Sequence, residues 1–381
     1  MRYNFLRFKY ASVPAILFVS IFAHGRESGS TWKFQAEALG GYHTNPLYLS
    51  PDDSLLQSSP ALLGTASAKW RYLSTESWQL RSALEGDASL FPNLTQGNIQ
   101  GLEWTGESRY YPHGAVPRKK SRDETYAALS LRLNATDNAI LSNPDRSDPD
   151  VPALGLMESR ARVSGRIDMD ESGSLHAMSS AAYRNYEEAP SLLASLDSHQ
   201  EEAEAGWALP EWRRLVPEIQ YAVKSRRYLE YPARDRNGDT VSGELKSLFS
   251  HGPTIRLGIH MGRKTDFWVE YRLEVSRDLY QGYFNCVSHS PGAYFKFKGA
   301  SKWELTFRGW TALENYDSYR VGYNANRALK RIRYDFLRTS LELPFGRWYL
   351  RAEGLYRGEA NNTPAYRYSA PQVYAGFGFK T

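Results

Sequence analysis

A single cysteine, Cys286, is all the thiol chemistry that 381 residues supply. It cannot close an intramolecular disulfide, which excludes disulfide-framework folds and cysteine-ligated metal sites. Long apolar runs are also missing. Beyond residue 25 no segment approaches the roughly 18 consecutive apolar residues of a spanning helix, so a helical membrane protein is excluded. Apolar residues make up 41% of the chain, a thin supply for an ordinary packed core. Arg2, Arg7 and Lys9 precede an apolar run from Ala11 to Ala23, and Ala23 and Gly25 are small enough for cleavage. That is the form of a secretory signal peptide over residues 1–25, leaving 26–381 as one domain. Removing those three cations from 47 Lys and Arg leaves 44 against 42 Asp and Glu, a net charge of +2. Nucleic acid is therefore not implied as a partner.

What the chain does have is aromatic residues, 14% in all with 26 Tyr and 10 Trp, and a side-chain pattern of period two. Met157, Ser159, Ala161, Val163, Gly165, Ile167 and Met169 alternate with Glu158, Arg160, Arg162, Ser164, Arg166 and Asp168. The same alternation runs through Ile255–Met261, Phe267–Val275, Trp303–Gly309 and Trp348–Arg357. Successive side chains of a strand point to opposite faces, so each of these segments reads as a long strand with one greasy and one charged face.

A soluble sandwich also alternates, and the connections separate the two readings. Short links at Ser74–Ser77, Asp170–Gly173, Pro210–Glu211, Arg263–Thr265, Ala300–Ser301 and Pro344–Arg347 lie between long polar stretches. Those stretches are His43–Leu63, Asn134–Leu156, Glu187–Gln200, Glu230–Gly252, Gln281–Pro291, Glu314–Arg331 and Gly358–Ser369. The fold class expected is all-β, an antiparallel transmembrane β-barrel of about sixteen strands, with short periplasmic turns and long extracellular loops. Pro112–Asp123 is long for a turn, and misreading it lowers the count to fourteen. Trp70, Trp78, Trp207, Trp212, Trp268, Trp303 and Trp348 sit near short links, while Tyr42, Tyr110, Tyr183, Tyr228, Tyr280, Tyr334 and Tyr356 fall toward long ones. Such sorting matches two interfacial aromatic belts.

The leader, the alternating strands, the asymmetric connections and a closing strand with Val373, Ala375, Phe377 and Phe379 together resemble a Gram-negative outer-membrane β-barrel. Lys380 and Thr381 displace the terminal aromatic common in such barrels. Gly40–Leu47 is similar to the start of many such barrels, some of them from polysaccharide-export clusters. The resemblance implies an outer-membrane location with lipid and lipopolysaccharide around the barrel, and hydrophilic solute or polysaccharide inside it.

Enzyme chemistry has little to stand on. A three-residue turn at Lys264–Asp266 would set Glu270 opposite His260 and Glu274 opposite Arg256, but charge pairs across strands are ordinary stabilisation and no nucleophile accompanies them. Asp235-Arg236-Asn237-Gly238-Asp239 places its glycine too early for a calcium loop and reads as a turn. No metal or cofactor site is expected. The pore-lining residues expected from the alternation are Arg132, Arg160, Arg162, Arg166 and Arg184, a basic sector with Glu158 and Asp168 as its chief acids. Arg256, Glu270, Arg272, Glu274, Lys298, Glu304, Arg308, Arg338 and Glu353 complete the set, with Lys298 facing Glu304 and Arg338 facing Glu353 in simple hairpin registers. Asp145, Asp148 and Asp150 mark the Asn134–Leu156 loop as a constriction candidate. Sixteen strands enclose an aqueous passage, so the function expected is a passive channel for hydrophilic, anion-leaning solutes. The alternatives are an export conduit for a polysaccharide working with periplasmic partners, and a surface adhesin or assembly factor.

Overall fold

A computed structural model describes residues 31–47, 57–75, 77–94, 97–112, 125–137, 153–188, 196–260, 264–321, 328–362 and 367–381. The leader expected at 1–25 lies outside them. Sixteen strands follow one another: β1 (Thr31–His43), β2 (Ser59–Ser74), β3 (Trp78–Leu90), β4 (Ile99–Tyr110), β5 (Tyr126–Asp137), β6 (Ala153–Asp168), β7 (Ser174–Glu188) and β8 (Ser198–Ala208). The second half holds β9 (Leu215–Arg234), β10 (Thr240–His260), β11 (Thr265–Asp278), β12 (Cys286–Lys298), β13 (Glu304–Val321), β14 (Ala328–Phe345), β15 (Trp348–Asn361) and β16 (Tyr368–Lys380). Each strand pairs antiparallel with its sequence neighbours, and β1 pairs with β16 from Gln35↔Lys380 to His43↔Gln372. Closure leaves no sheet edge, the one arrangement in which strands satisfy every ladder hydrogen bond within a membrane.

Sixteen settles the count, and it makes the link between β4 and β5 a turn-side connection despite its length. The start of β1 and the end of β16 then fall on the side of the short turns. With strands about 4.8 Å apart and tilted about 40°, the backbone cylinder is about 32 Å across.

Three stretches read as long loops are largely strand. β9 and β10 have 20 and 21 residues and run through most of Glu230–Gly252, leaving only 235–239 as a turn. There Asp235 Oδ1 accepts the amides of Asn237 and Asp239 at 2.8 and 2.9 Å, and Gly238 takes a φ of +92° that favours glycine. β13 continues to Val321 across an irregularity between Asn315 and Arg320, and β12 already starts at Cys286. Polar and apolar residues mix on both faces of these strands beyond the membrane, as at Tyr228, Leu229, Glu230 and Leu245, so the alternation that marks a strand in sequence fades while the ladder continues.

The outer face is apolar. On β5, Leu129, Leu131 and Leu133 are about half exposed (52%, 49% and 53%), and on β6 Val163 and Ile167 are 59% and 58% exposed. Trp78, Trp207 and Trp348 are exposed on that face near the turns, a lower aromatic belt. Three tyrosines depart from the expected upper belt. Tyr110 ends β4 on the turn side, with its ring 4.9 Å from that of Trp78. Tyr228 and Tyr334 are buried, on the polar parity of their strands.

Candidate functional site

The face opposite the apolar one is the lumen wall, and its concavity can be read from side chains that meet over an intervening strand. The Tyr349 ring on β15 lies over Gly378 of β16, where an added Cβ would stand 2.0 Å from it. Its hydroxyl reaches β1, donating to Glu37 and accepting from Gln35 at 3.1 Å each. Arg351 bridges the same gap to Glu37 at 3.1 Å. His176 of β7 lies over Gly206 of β8 and stands 3.4 Å from Gln220 of β9. Strands two apart converge in this way on the inside of a cylinder, and glycine in the middle strand leaves the room.

The five arginines of the basic sector all fall on this face. Arg132 of β5 pairs with Glu103 of β4 at 2.6 Å. Glu158 of β6 has a buried side chain and holds Arg184 at 2.7 Å and Arg160 at 3.2 Å. Arg132 and Arg160 stand opposite each other in register. Arg162 and Arg166 make no ion pair among the described residues; the Nε atoms of Arg132 and Arg166 are buried with no hydrogen-bond partner, and that of Arg160 meets Glu158 as the 3.2 Å ion contact alone. Residues 160, 162 and 166 rise along one face of β6, with about 20 Å between the first and last at roughly 3.4 Å per residue.

Acids near this sector exceed those picked out from sequence. Glu103 comes from β4, and Glu202 of β8 stands in the row Arg162–Ser180–Glu202. Glu204 and Glu218 lie 3.5 and 3.9 Å from His176 Nε2. The basic column of β5–β7 is therefore bordered by Glu202 and Glu204 on β8, with Glu218 and the cations Lys224 and Arg226 following on β9.

The wall from β9 to β15 is a lattice of charges. Arg256 bridges Glu218 at 3.3 Å and Glu270 at 2.6 Å and stacks over Trp268 at 5.0 Å. The expected register is corrected here: Arg256 stands opposite Glu270, and His260 opposite Asp266. The pairing is four residues away from the one a three-residue turn would give, so Glu270 does not stand opposite His260 in the ladder. Arg272 lies 4.0 Å from Glu270, while Glu274 stands opposite Ser288 with no ion pair among the described residues. Lys298 does stand opposite Glu304, yet Glu304 sits closer to Lys296, at 2.5 Å against 4.0 Å. Arg308 and Arg338 face each other in register. Arg338 reaches Glu353 at 2.8 Å on a diagonal, since its direct partner is Leu355. Asp145, Asp148 and Asp150 lie within 138–152, outside the described residues.

The alternation in the sequence puts Trp268 and Tyr349 on the charged face, but the ring contacts there were not legible. Trp268 stacks on Tyr294 (5.3 Å, 17°) and Trp310 on Phe336 (5.7 Å, 16°), in neighbouring rows of the wall. Lys246 is buried among the rings of Tyr228, Tyr231 and Phe284, 4.2 to 5.0 Å from their centres. At the loop end of β1, Leu39, Ala61, Phe91 and Tyr374 form a buried cluster with Leu63 and Leu94 against it. The signal that was available is an aromatic on the charged parity of a strand, as at Tyr228 and Tyr374.

A closed sixteen-strand barrel with an apolar exterior, an aromatic belt and a charged interior defines the class: this chain is a transmembrane β-barrel of the outer-membrane type. No known protein family matches it, and no curated protein sequence does. Among solved structures it is similar to the outer membrane protein OpdK of Pseudomonas aeruginosa, with 9% identity and a TM-score of 0.46 over 92% of this chain and 99% of that one. It is also similar to a BenF-like porin from Pseudomonas fluorescens Pf-5 (7% identity, TM-score 0.45, 94% and 100% covered). A bacterial polysaccharide outer membrane secretin is a third (9% identity, TM-score 0.44, 92% and 98% covered).

Proposed function

We propose that this barrel is a passive channel for hydrophilic solutes, with a basic sector on β5–β7 that favours anions. The observation that carries the reading is Arg162 and Arg166, two lumen-facing guanidiniums without a carboxylate contact among the described residues, beside Arg132, Arg160 and Arg184. Charges elsewhere on the wall are mostly tied in pairs and present little net field.

Distance limits the effect. At 0.1 M salt the Debye length is about 10 Å, so wall charges reach only part of the way across a passage whose backbone diameter is about 32 Å. We further propose that the Asn134–Leu156 connection, whose Asp145, Asp148 and Asp150 lie outside the described residues, narrows the path beside Arg160 and Arg162. Reversal potentials across planar bilayers in a salt gradient test this. The wild type should prefer anions, Arg160/Arg162/Arg166→Gln should shift toward cations, and Asp145/Asp148/Asp150→Asn should shift toward anions. A barrel that does not conduct overturns the channel reading, and unchanged selectivity in both triple variants overturns the assigned residues.

A second reading, export of a polysaccharide with periplasmic partners, draws on the stacked pairs Trp268–Tyr294 and Trp310–Phe336, because sugar rings pack against aromatic side chains. Block of the conductance by oligosaccharides at micromolar but not by small anions at the same concentration would favour it.

A further inference from the structure

The outer wall changes chemistry abruptly where β9–β14 leave the apolar band. On β11 the outward residues are Phe267, Val269, Tyr271, Leu273 and Val275, and the next is Arg277. Eight residues at about 3.4 Å and a tilt of about 40° rise about 21 Å, close to the roughly 25 Å apolar band of such barrels. On β14 Phe345, Leu343, Leu341, Thr339 and Leu337 give way to Asp335, Arg333 and Arg331, and on β9 Ile219, Tyr221, Val223 and Ser225 give way to Arg227. Arg227, Arg277 and Arg333 each stand twelve residues from the turn ends of their strands at Leu215, Thr265 and Phe345. They share one height, and Arg331 lies one outward step above it.

Just below, two tyrosine–histidine pairs mark the interface on the same exposed face. Tyr221 Oη is 2.7 Å from His251 Nδ1, and Tyr271 Oη is 2.6 Å from His289 Nδ1. Counter-charge at the arginine level is partial. Asp335 lies 2.9 Å from Arg333, and Asp317 is 3.8 Å from Arg277 with both side chains 55% exposed. Arg227 and Arg331 are exposed and have no ion pair among the described residues; Glu201 on β8 is the other outward acid nearby. The strands that continue the ring beyond β14 have nothing comparable. The outward residues of β15, β16 and β1, from Trp348 to Ala360, Ser369 to Phe379 and Trp32 to Tyr42, include no charged side chain.

We infer that the outer rim of β9–β14 is a binding surface for the phosphorylated headgroup of an outer-leaflet glycolipid. Basic side chains placed immediately beyond the hydrocarbon meet lipid phosphates at their own depth, and guanidinium binds phosphate through two parallel hydrogen bonds. Confinement to one side predicts that lipid is held along β9–β14 and exchanges freely elsewhere.

The test is native mass spectrometry of the detergent-purified full chain, offered bis-phosphorylated lipid A or the same lipid with its phosphates removed. The wild type should retain the phosphorylated lipid about tenfold better. Arg227/Arg277/Arg331/Arg333→Gln should bring the two lipids to within about twofold, while the lumen variant Arg162/Arg166→Gln keeps the preference. Equal retention by the wild type, or an unchanged preference in the rim variant, overturns the inference. If the rim variant does not form a heat-modifiable barrel, a salt series on the wild type decides: a preference that fades between about 50 and 500 mM NaCl supports the rim, and one indifferent to salt refutes it.

Discussion

Glu353 is the carboxylate on which the wall between β14 and β1 converges, and replacing it tests whether the lumen charges hold the barrel together. Its side chain keeps 6% of its surface and accepts from Arg338 at 2.8 Å and Arg351 at 2.7 Å. Arg351 goes on to Glu37, whose side chain is 7% exposed. Glu353→Gln keeps the shape and removes one charge. Two unit charges about 4 Å apart attract by about 4 kcal/mol at an effective dielectric near 20, but much of that offsets the cost of desolvating the ions. Breaking a buried pair typically costs about 3–5 kcal/mol. Here Arg338 is 46% exposed and can rehydrate, and Arg351 retains Glu37, so the expected cost is lower, about 2 kcal/mol.

The control is Glu85→Gln. Glu85 pairs with Lys69 at 2.7 Å, but the two side chains are 48% and 57% exposed, which puts the pair in the range of about 0–1 kcal/mol. Reversible urea unfolding from lipid vesicles, followed by tryptophan fluorescence, should separate the variants by about five- to thirtyfold in the folding equilibrium. High salt should abolish what Glu85→Gln costs and leave most of what Glu353→Gln costs, because buried pairs are screened less. Equal costs for the two, or none for Glu353→Gln, would refute the argument that burial sets the strength of these pairs.

Alternation made the faces legible from sequence but not the partners, and the reason is visible in the registers. Shifting a strand by one residue turns every side chain to the other side, whereas an even shift changes neighbours and preserves faces. The expected pairing of β10 with β11 was out by four residues and that of β14 with β15 by two, so Arg256, Glu270, Arg338 and Glu353 kept their faces and acquired different opposite residues. Hairpin turn length decides the register, and nothing in Met261–Lys264 announces it. Closure is harder still to read. Glu37 and Tyr349 are 312 residues apart, and only the ring of strands brings them together over Gly378.

Two further outcomes follow from the wall itself. Val163→Arg places a cation on the lipid face at a position 59% exposed, where it should cost about 2–4 kcal/mol near the midplane and reduce the folded fraction recovered in membranes; Arg162→Gln, one residue away on the lumen side, should fold normally on heat-modifiability gels, and similar losses for both would show that the faces are misassigned. Gly378→Val addresses the seam. A Cβ at this position falls 2.0 Å from the Tyr349 ring, which is fully buried and carries the bonds to Gln35 and Glu37. Strain of this kind costs about 1–3 kcal/mol, and the ring must leave its place for the side chain to fit. Gly354 on the neighbouring strand has nothing within 4 Å of an added Cβ, so Gly354→Ala supplies the comparison. Gel mobility against temperature should show Gly378→Val melting well below the wild type and Gly354→Ala melting with it. If both glycine variants melt alike, Tyr349 does not bind the last strand to the first, and closure rests on the β1–β16 backbone ladder alone.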